Sequence, residues 1–457
     1  MSSQSLHFDH VFLPEGWQTD CLIEVRDGLI TQITPSAGRS MPHGTQKVTG
    51  WALPGLPNLH SHCFQRGMAG LSERRGPQGD SFWTWREVMY RFLDRLDPDA
   101  VEAIASMAML EMLENGYTSL AEFHYLHHDP HGRPYANRAE MAERIIAAAD
   151  KTGLCLTLLP VFYAHGDFGG AAPNPGQRRF LSSLDDFETL FSQSRHALRA
   201  LHGARLGLAP HSLRAVTPAQ LQALIALCPQ GPIHIHVAEQ QKEVEACLAW
   251  SGQRPVAWLL DHMPLDQRWC LIHATHITTQ ECQDLARSGA VAGLCPITEA
   301  NLGDGLFPAP AFCEAGGRIG VGSDSNIEIV AAHELRWLEY GQRLFHQGRN
   351  LLAQQQDLST GEQLYRMACA GGAQALDQAV GRIAIDQRAD FVVLDPAHPT
   401  LSGQAPAHRM DAYVFSAGPQ AIKHVICGGI TRVSDGHHHK RDEIIRAYQA
   451  CMKQLLA

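Results

Sequence analysis

No two of the twelve cysteines lie closer than 12 positions, so the chain contains no CxxC pair. That excludes cysteine-type zinc ribbons and thioredoxin-like redox motifs. No apolar run approaches the ~18 residues that a membrane span requires, and no membrane partner is expected. The start, MSSQSLHFDHVFLPEGW, has neither a basic segment nor an apolar core, so it does not read as a signal peptide. A cytoplasmic location with reduced cysteines is the expectation. Positive charge is also in short supply: 37 Lys and Arg face 47 Asp and Glu, a formal net charge of −10. A nucleic-acid partner is therefore not expected. An anionic small molecule is a different matter, because a few arginines dominate the field inside a pocket. Repeats, low-complexity tracts and long linkers are absent as well.

What the chain has is length and alternation. Its 457 residues suffice for one large domain and a smaller companion. Eight short, nearly continuous apolar runs read as strands buried on both faces. They are LPGLPNLHSH (53–62), YTSLAEFHY (117–125), LCLTLLPVFY (154–163), ARLGLAPHS (204–212), PIHIHVAE (232–239), WCLIHATH (269–276), AVAGLCPIT (290–298) and RIGVGSDS (318–325). Most of the segments between them can hold a helix. DPDAVEAIASMAMLEMLENG is the clearest, with an aspartate near its start and Gly116 as its stop. Eight strand–helix repeats predict an α/β fold of the (β/α)8 TIM-like barrel kind over 53–381. A doubly wound open sheet is the alternative.

Both ends have a different texture. CLIEVRDGLITQITP alternates around an Asp27-Gly28 turn, as a hairpin does. ADFVVLD, AYVFS and HVICGGITRVSDG alternate in the same way near the other end. Residues 1–52 and 382–436 are thus expected to pair into one small discontinuous β-sandwich domain. Residues 437–457 close the chain with an amphipathic helix, KRDEIIRAYQACMKQ. His437, His438 and His439, just before it, read as a surface turn.

Twenty-six histidines invite caution. Random placement yields roughly 1.5 H-x-H pairs in such a chain, so the motif alone is weak. Three occur: His60/His62, His234/His236 and His437/His439. Position separates them. Residues i and i+2 of a strand share a face, so His60 and His62 point the same way. They end the first candidate strand. His236 sits late in the fifth, His273 late in the sixth and Asp324 late in the eighth. Barrel enzymes carry their chemistry at that rim. Five metal-compatible side chains gathered there by accident is improbable. His234, one pleat deeper, reads as a packed, hydrogen-bonded histidine, and His276 as loop.

PGLPNLHSH, HIHVAE, LIHATH and GVGSDS resemble the strand-end motifs of the amidohydrolase superfamily, and GGAQALDQAVGRIAIDQRADFVVLD resembles its exit from the barrel. The resemblance covers nearly the whole chain. It implies a metal held by His60, His62, His236 and Asp324. It also implies that His273 touches the attacking water and that Glu239 carries a proton. Two-metal members use a bridging lysine, cysteine or glutamate on the fourth strand. ARLGLAPHS has no lysine, so the resemblance implies one Zn²⁺ per chain. Longer segments, among them NLHSHCFQRGMAGL, SFWTWREVMYRF and CPITEANLGDGLFP, are similar to a deiminating branch of the superfamily. That branch implies hydrolysis of N-formimino-L-glutamate to N-formyl-L-glutamate and ammonia, usually by a homodimer. Cys63 departs from the pattern, where a small residue such as alanine is expected.

The chemistry agrees with the residue types. Hydrolysing a C=N bond at neutral pH needs an activated water, and three imidazoles with one carboxylate suit zinc for that task. Glu239, Asp324 and His273 supply proton transfer and hydrogen bonding; an acid at 239 requires a pKa near neutrality, which burial provides. Two substrate carboxylates call for planar cationic forks, which Arg86 and Arg214 offer. Gln65, Tyr125 and His211 stand where a small polar ligand would meet them. The stretch SFWTWREVMYRFLDRL reads either as a lid, complete in itself or with a neighbouring subunit, or as a helix packed on the barrel. Rival readings are a mononuclear deaminase of a nucleobase or other aromatic amine, a two-metal ring hydrolase and a non-catalytic metal store. The first needs a stacking wall and no arginine pair.

Overall fold

Apolar–polar alternation near the N-terminus produces a meander. In the computed structural model, which describes residues 3–36, 38, 41–76 and 79–457, the first strands are β1 (Ser3–Leu13), β2 (Gly16–Arg26), β3 (Leu29–Thr34) and β4 (Gln46–Pro54). Asp27 and Gly28 turn β2 into β3 with φ of 50° and 82°. Positive φ at both central positions is what a two-residue hairpin of right-handed twist demands. Nine parallel strands follow: β5 (Leu56–Ser61), β6 (Tyr117–His124), β7 (Cys155–Phe162), β8 (Arg205–Leu206), β9 (Ala209–Pro210), β10 (Ile233–Val237), β11 (Trp269–His273), β12 (Val291–Leu294) and β13 (Arg318–Val321). The chain returns to the first sheet with β14 (Phe391–Leu394), β15 (Ile422–Cys427), β16 (Ile430–Ser434) and β17 (His437–His438).

Both ends join one hydrogen-bonded sheet of order β17-β16-β15-β14-β4-β1-β2-β3. Its seam is the antiparallel β4–β14 pair, with Leu53 opposite Val392. Leu6, Phe8, Ile23, Val48, Phe391 and Ile426 build a core separate from the main one. The parallel strands form two sheets, β5-β6-β7 with β8 and β9, and β10-β11-β12-β13. Parallel bridges Leu208–Ile233 and Ser212–His236 link them on one side, and Ser61–Asp324 on the other. Helices fill the connections. The longest early ones are α1 (Phe82–Leu93) and α2 (Pro98–Glu114), the latter capped by Asp97, whose side chain accepts from the Ala100 N–H.

Several expected elements differ. The run 53–62 is two strands in two sheets, because Gly55 breaks it; a Cβ there would lie 2.0 Å from Thr118 Oγ1. The run 204–212 is two short strands flanking Gly207, whose Cβ would meet the Pro232 carbonyl at 2.6 Å. Residues 296–298 begin the helix Pro296–Leu302 rather than extend β12. Proline cannot donate to a ladder and is preset for a first helical turn. AYVFS is helical: Tyr413–Ala417 continues the helix Arg409–Ala412. Its buried residues Met410, Tyr413, Val414 and Ala417 follow the i, i+3, i+4, i+7 spacing of a helix face. His438 is not at the surface; it is buried, and its Nε2 pairs with the Thr152 carbonyl at 2.9 Å. His234 is packed as expected, with Nε2 2.8 Å from the Ala375 carbonyl.

The helix Thr360–Leu376 lies under the parallel strands at backbone contact. A Cβ on Gly371 would sit 2.1 Å from the Ile319 carbonyl oxygen, in β13. Alanine gains up to about 1 kcal/mol in helix propensity. Overpacking against rigid backbone costs more, so Gly371→Ala should lose about 1–3 kcal/mol in urea unfolding, with a lower Tm.

Candidate active site

Two backbone hydrogen bonds bring the ends of β5 and β13 together. His62 N–H donates to the Asp324 carbonyl and Asp324 N–H to the His60 carbonyl, each at 3.0 Å. Gly322 permits this closeness, since a Cβ there would lie 2.6 Å from the His60 carbonyl oxygen. Asn326 pins the turn, its Nδ2 donating to Ser61 Oγ, the His62 carbonyl and the Asp324 carbonyl at 3.0–3.1 Å. His273 and Asp324 both adopt positive φ, 68° and 43°. Such strain in non-glycine residues collects where a site requires it.

The side chains converge. His236 Nε2 lies 3.1 Å from His60 Nε2. Asp324 Oδ1 lies 3.4 Å from His60 Nε2 and 3.3 Å from His62 Nε2. His62 Nδ1 is 2.9 Å from the Phe123 carbonyl, so the proton sits on Nδ1 and the lone pair on Nε2 faces the cluster. Burial pushes the His60 imidazole down to about 3, and His62 and His236 below their ordinary range. Burial pushes the Asp324 carboxyl up, but His60, His273 and His62 outweigh it and hold it well below the usual carboxylate range.

Next to this cluster, His273 stands among three carboxylates. Its Nδ1 is 3.2 Å from Glu299 Oε1, and its Nε2 is 3.8 Å from Glu239 and 3.7 Å from Asp324. Burial pulls the imidazolium down, yet Glu239, Glu299 and Asp324 together raise its pKa to about 10. Burial raises Glu239 to about 7 against the pull of His273 and Arg214. That is the range in which a carboxyl both gives and takes a proton at neutral pH.

The cluster opens into a cavity of about 60 Å³ that Gln65, Arg86, Tyr125, His211 and Arg214 also line. Gln65 Nε2 donates to Tyr125 Oη at 2.8 Å, while Gln65 Oε1 is buried without a partner. The helix α1 forms one wall, contributing Trp85, Arg86, Met89 and Tyr90. The Arg86 guanidinium stacks 4.6 Å over Trp83, with Arg214 5.9 Å from the same ring. Nε of both arginines is buried and unpartnered. Two guanidiniums with free donors, held close by one indole, fit an anion. A much larger cavity, about 1000 Å³, lies by the helix Thr360–Leu376 and contains none of these residues. Size is therefore no guide here, and the convergence of donors is.

Of the predicted site residues, His62, Gln65, Arg86, Tyr125, His211, Arg214, His236, Glu239, His273 and Asp324 line this cavity, and His60 touches His236 and Asp324. Others were not legible. Glu299, whose Oε1 faces His273 Nδ1, also accepts from the Cys295 N–H at 2.9 Å. Glu122, on β6, accepts from the Cys63 N–H at 2.8 Å and so holds the residue after His62. Tyr163 lines the cavity from the end of β7. The proline opening the helix Pro296–Leu302 was the one signal that Glu299 faces back toward the strands.

Residues 51–431 match the Amidohydrolase family, and the chain belongs to that family of metal-dependent hydrolases. A formimidoylglutamate deiminase from Pseudomonas aeruginosa is 48% identical over 98% of each chain. An amidohydrolase structure from Brucella melitensis superposes with a TM-score of 0.94 at 48% identity, covering 99% of this chain and 100% of that one. An adenosine deaminase from Xanthomonas campestris, solved with bound zinc, shares the fold with a TM-score of 0.82 at 20% identity, over 99% of this chain and 98% of that one.

The residues present fit a divalent cation. A tetrahedral ion with bonds of about 2.0–2.1 Å sets its ligand atoms roughly 3.3 Å apart. The His60–His236 contact of 3.1 Å and the contacts of Asp324 with His62 and His60 at 3.3 and 3.4 Å have that spacing. His60, His62 and His236 form one compact group of donors, and Asp324 adjoins it from a second group with His273 and Cys295. Three neutral imidazoles and one anion are the protonation states such an ion needs.

Proposed function

We propose that this chain hydrolyses N-formimino-L-glutamate to N-formyl-L-glutamate and ammonia. One observation carries the reading: Arg86 and Arg214, with unpartnered donors, share a small cavity with the His/Asp cluster. The similarity to the Pseudomonas aeruginosa deiminase supports it. A nucleobase deaminase has no use for two free guanidiniums in its pocket.

In this reading the parallel strands make a (β/α)8 barrel over 53–381. Residues 1–52 and 382–436, extended by β17, make the small β-sandwich domain, and the closing helix within 437–457 is Arg441–Leu456. His60, His62, His236 and Asp324 hold one zinc ion per chain. When bound there, that ion would supply Lewis acidity and lower the pKa of water to about 7. Asp324 accepts a proton from the attacking water. His273 donates a hydrogen bond from Nε2 to the water and then to the oxygen on the tetrahedral carbon. Glu239 gives a proton to the terminal nitrogen as the C=N bond opens, and the proton taken up by Asp324 then reaches the same nitrogen. The C–N bond breaks toward it, ammonia departs, and the water's second proton passes to Glu239 as the formyl C=O forms, which restores both carboxyl groups.

Arg86 and Arg214 bind the substrate carboxylates, and Gln65, Tyr125 and His211 hydrogen-bond its polar groups. An α1 lid excludes water. The helix Ala331–His346 exposes Trp337, Tyr340, Leu344 and Phe345, an apolar stripe that supports a homodimer. No helix among the described residues is long and apolar enough to cross a membrane, which accords with a cytoplasmic enzyme.

Ammonia release from N-formimino-L-glutamate, beside formimino, amidino, purine and pyrimidine compounds, tests the proposal. Turnover of a nucleobase and none of the formimino diacid ends it. Glu239→Gln should lower kcat about 10²–10⁴-fold with little change in KM, since proton transfer acts in the transition state. Retained kcat removes Glu239 from that role.

A further inference from the structure

Tyr163 follows β7 and lines the same cavity as Arg86, Arg214 and His211. Its hydroxyl has a fixed direction. The Asn174 backbone N–H donates to Gln177 Oε1 at 2.8 Å, which settles which end of that amide is oxygen. The other end, Gln177 Nε2, then donates to Tyr163 Oη at 2.6 Å. Gln177 is wholly buried. Because Oη accepts this hydrogen bond, its own hydrogen must find a different acceptor. Among the described residues it has none, whereas the hydroxyl of Tyr125 has Met89 Sδ at 3.4 Å. Burial raises the Tyr163 hydroxyl above its ordinary range against the pull of Arg214 and Arg86, which line the same cavity, so the hydroxyl keeps its hydrogen.

The turn that carries Gln177 also seats the lid helix. A Cβ on Gly176 would lie 2.4 Å from the ring of Tyr90 in α1. The Tyr163 ring packs on His211 with centroids 4.5 Å apart. The hydroxyl is thus held from one side by the turn and from the other by the pocket.

We infer that Tyr163 is a further substrate-binding residue, donating its hydroxyl hydrogen to a carboxylate of the substrate, and that Gln177 is the positioning residue that aims it. The inference rests on the dicarboxylate reading above. It calls for steady-state kinetics of wild type, Tyr163→Phe, Gln177→Leu and the double variant. The substrates are N-formimino-L-glutamate and two analogues, each lacking one carboxylate: N-formimino-4-aminobutyrate and N-formimino-L-2-aminobutyrate. Tyr163→Phe should raise KM on the diacid about ten- to hundredfold, as losing one hydrogen bond to a charged group does, with kcat nearly unchanged. Gln177→Leu should raise KM by less, and the double variant should be no worse than Tyr163→Phe, because both act through one hydrogen bond. The penalty should vanish on at least one analogue. An unchanged KM on the diacid, or the same penalty on all three substrates, overturns the inference while the function stands. A wild type inactive on the diacid overturns both. If Tyr163→Phe does not fold, Gln177→Leu alone carries the same comparison across substrates.

Discussion

Asp324→Asn is expected to abolish ammonia release, by about 10⁴-fold or more, at the upper end of what positioned proton transfer alone contributes. The size follows from the several contacts that one carboxylate makes. Its Oδ1 faces His60 and His62 and its Oδ2 faces His273. An amide has no negative charge to offer a cation or an imidazolium, and its NH₂ cannot take a proton from water. Asparagine is the informative replacement because position 324 has φ of 43°. Asparagine tolerates that left-handed backbone better than most residues, so the chain keeps its course while the charge is lost. Metal content by elemental analysis should fall together with activity, and the thermal transition should remain cooperative. Full metal content with lost activity would assign Asp324 to proton transfer alone. Near-wild-type activity would remove it from the site.

The second large effect is expected at the other end of the cavity. Arg86→Met and Arg214→Met should each lower kcat/KM for N-formimino-L-glutamate about 10–100-fold, since a hydrogen bond to a charged group is worth about 1.5–3 kcal/mol. The double variant should lose on the order of 10³-fold, and less than the product of the singles if both arginines meet one carboxylate. Methionine keeps an unbranched apolar stem while the fork, which for Arg86 stacks on Trp83, is removed. Part of the loss should appear in kcat, because binding remote from the reacting carbon also sets its position. Turnover that survives both changes would contradict the dicarboxylate assignment and return the nucleobase reading to consideration.

The readable and unreadable parts of this molecule divide by range. His60 and His62 could be paired on one face because strand pleating is local. His236, His273 and Asp324 could be joined to them because each ends an apolar run, and parallel strands align such ends. Glu299 and Tyr163 escaped because a helix or a loop presents them to a neighbouring strand. No periodicity within their own segments encodes that contact. The run 53–62 misled because hydrophobic continuity does not reveal which sheet a strand joins; only the Gly55–Thr118 contact divides it. AYVFS misled because four apolar positions at helical spacing began outside the segment being read.

By itself, the amino-acid order determined the kinds of groups this protein carries and the strand ends that carry them, because strand periodicity and turn chemistry act over a few residues. Which atoms come within 3–4 Å, which tautomer each imidazole holds and which guanidinium is left without a partner were decided only when distant segments packed. Those quantities depend on burial and on neighbours hundreds of positions away, and so they belong to the tertiary structure.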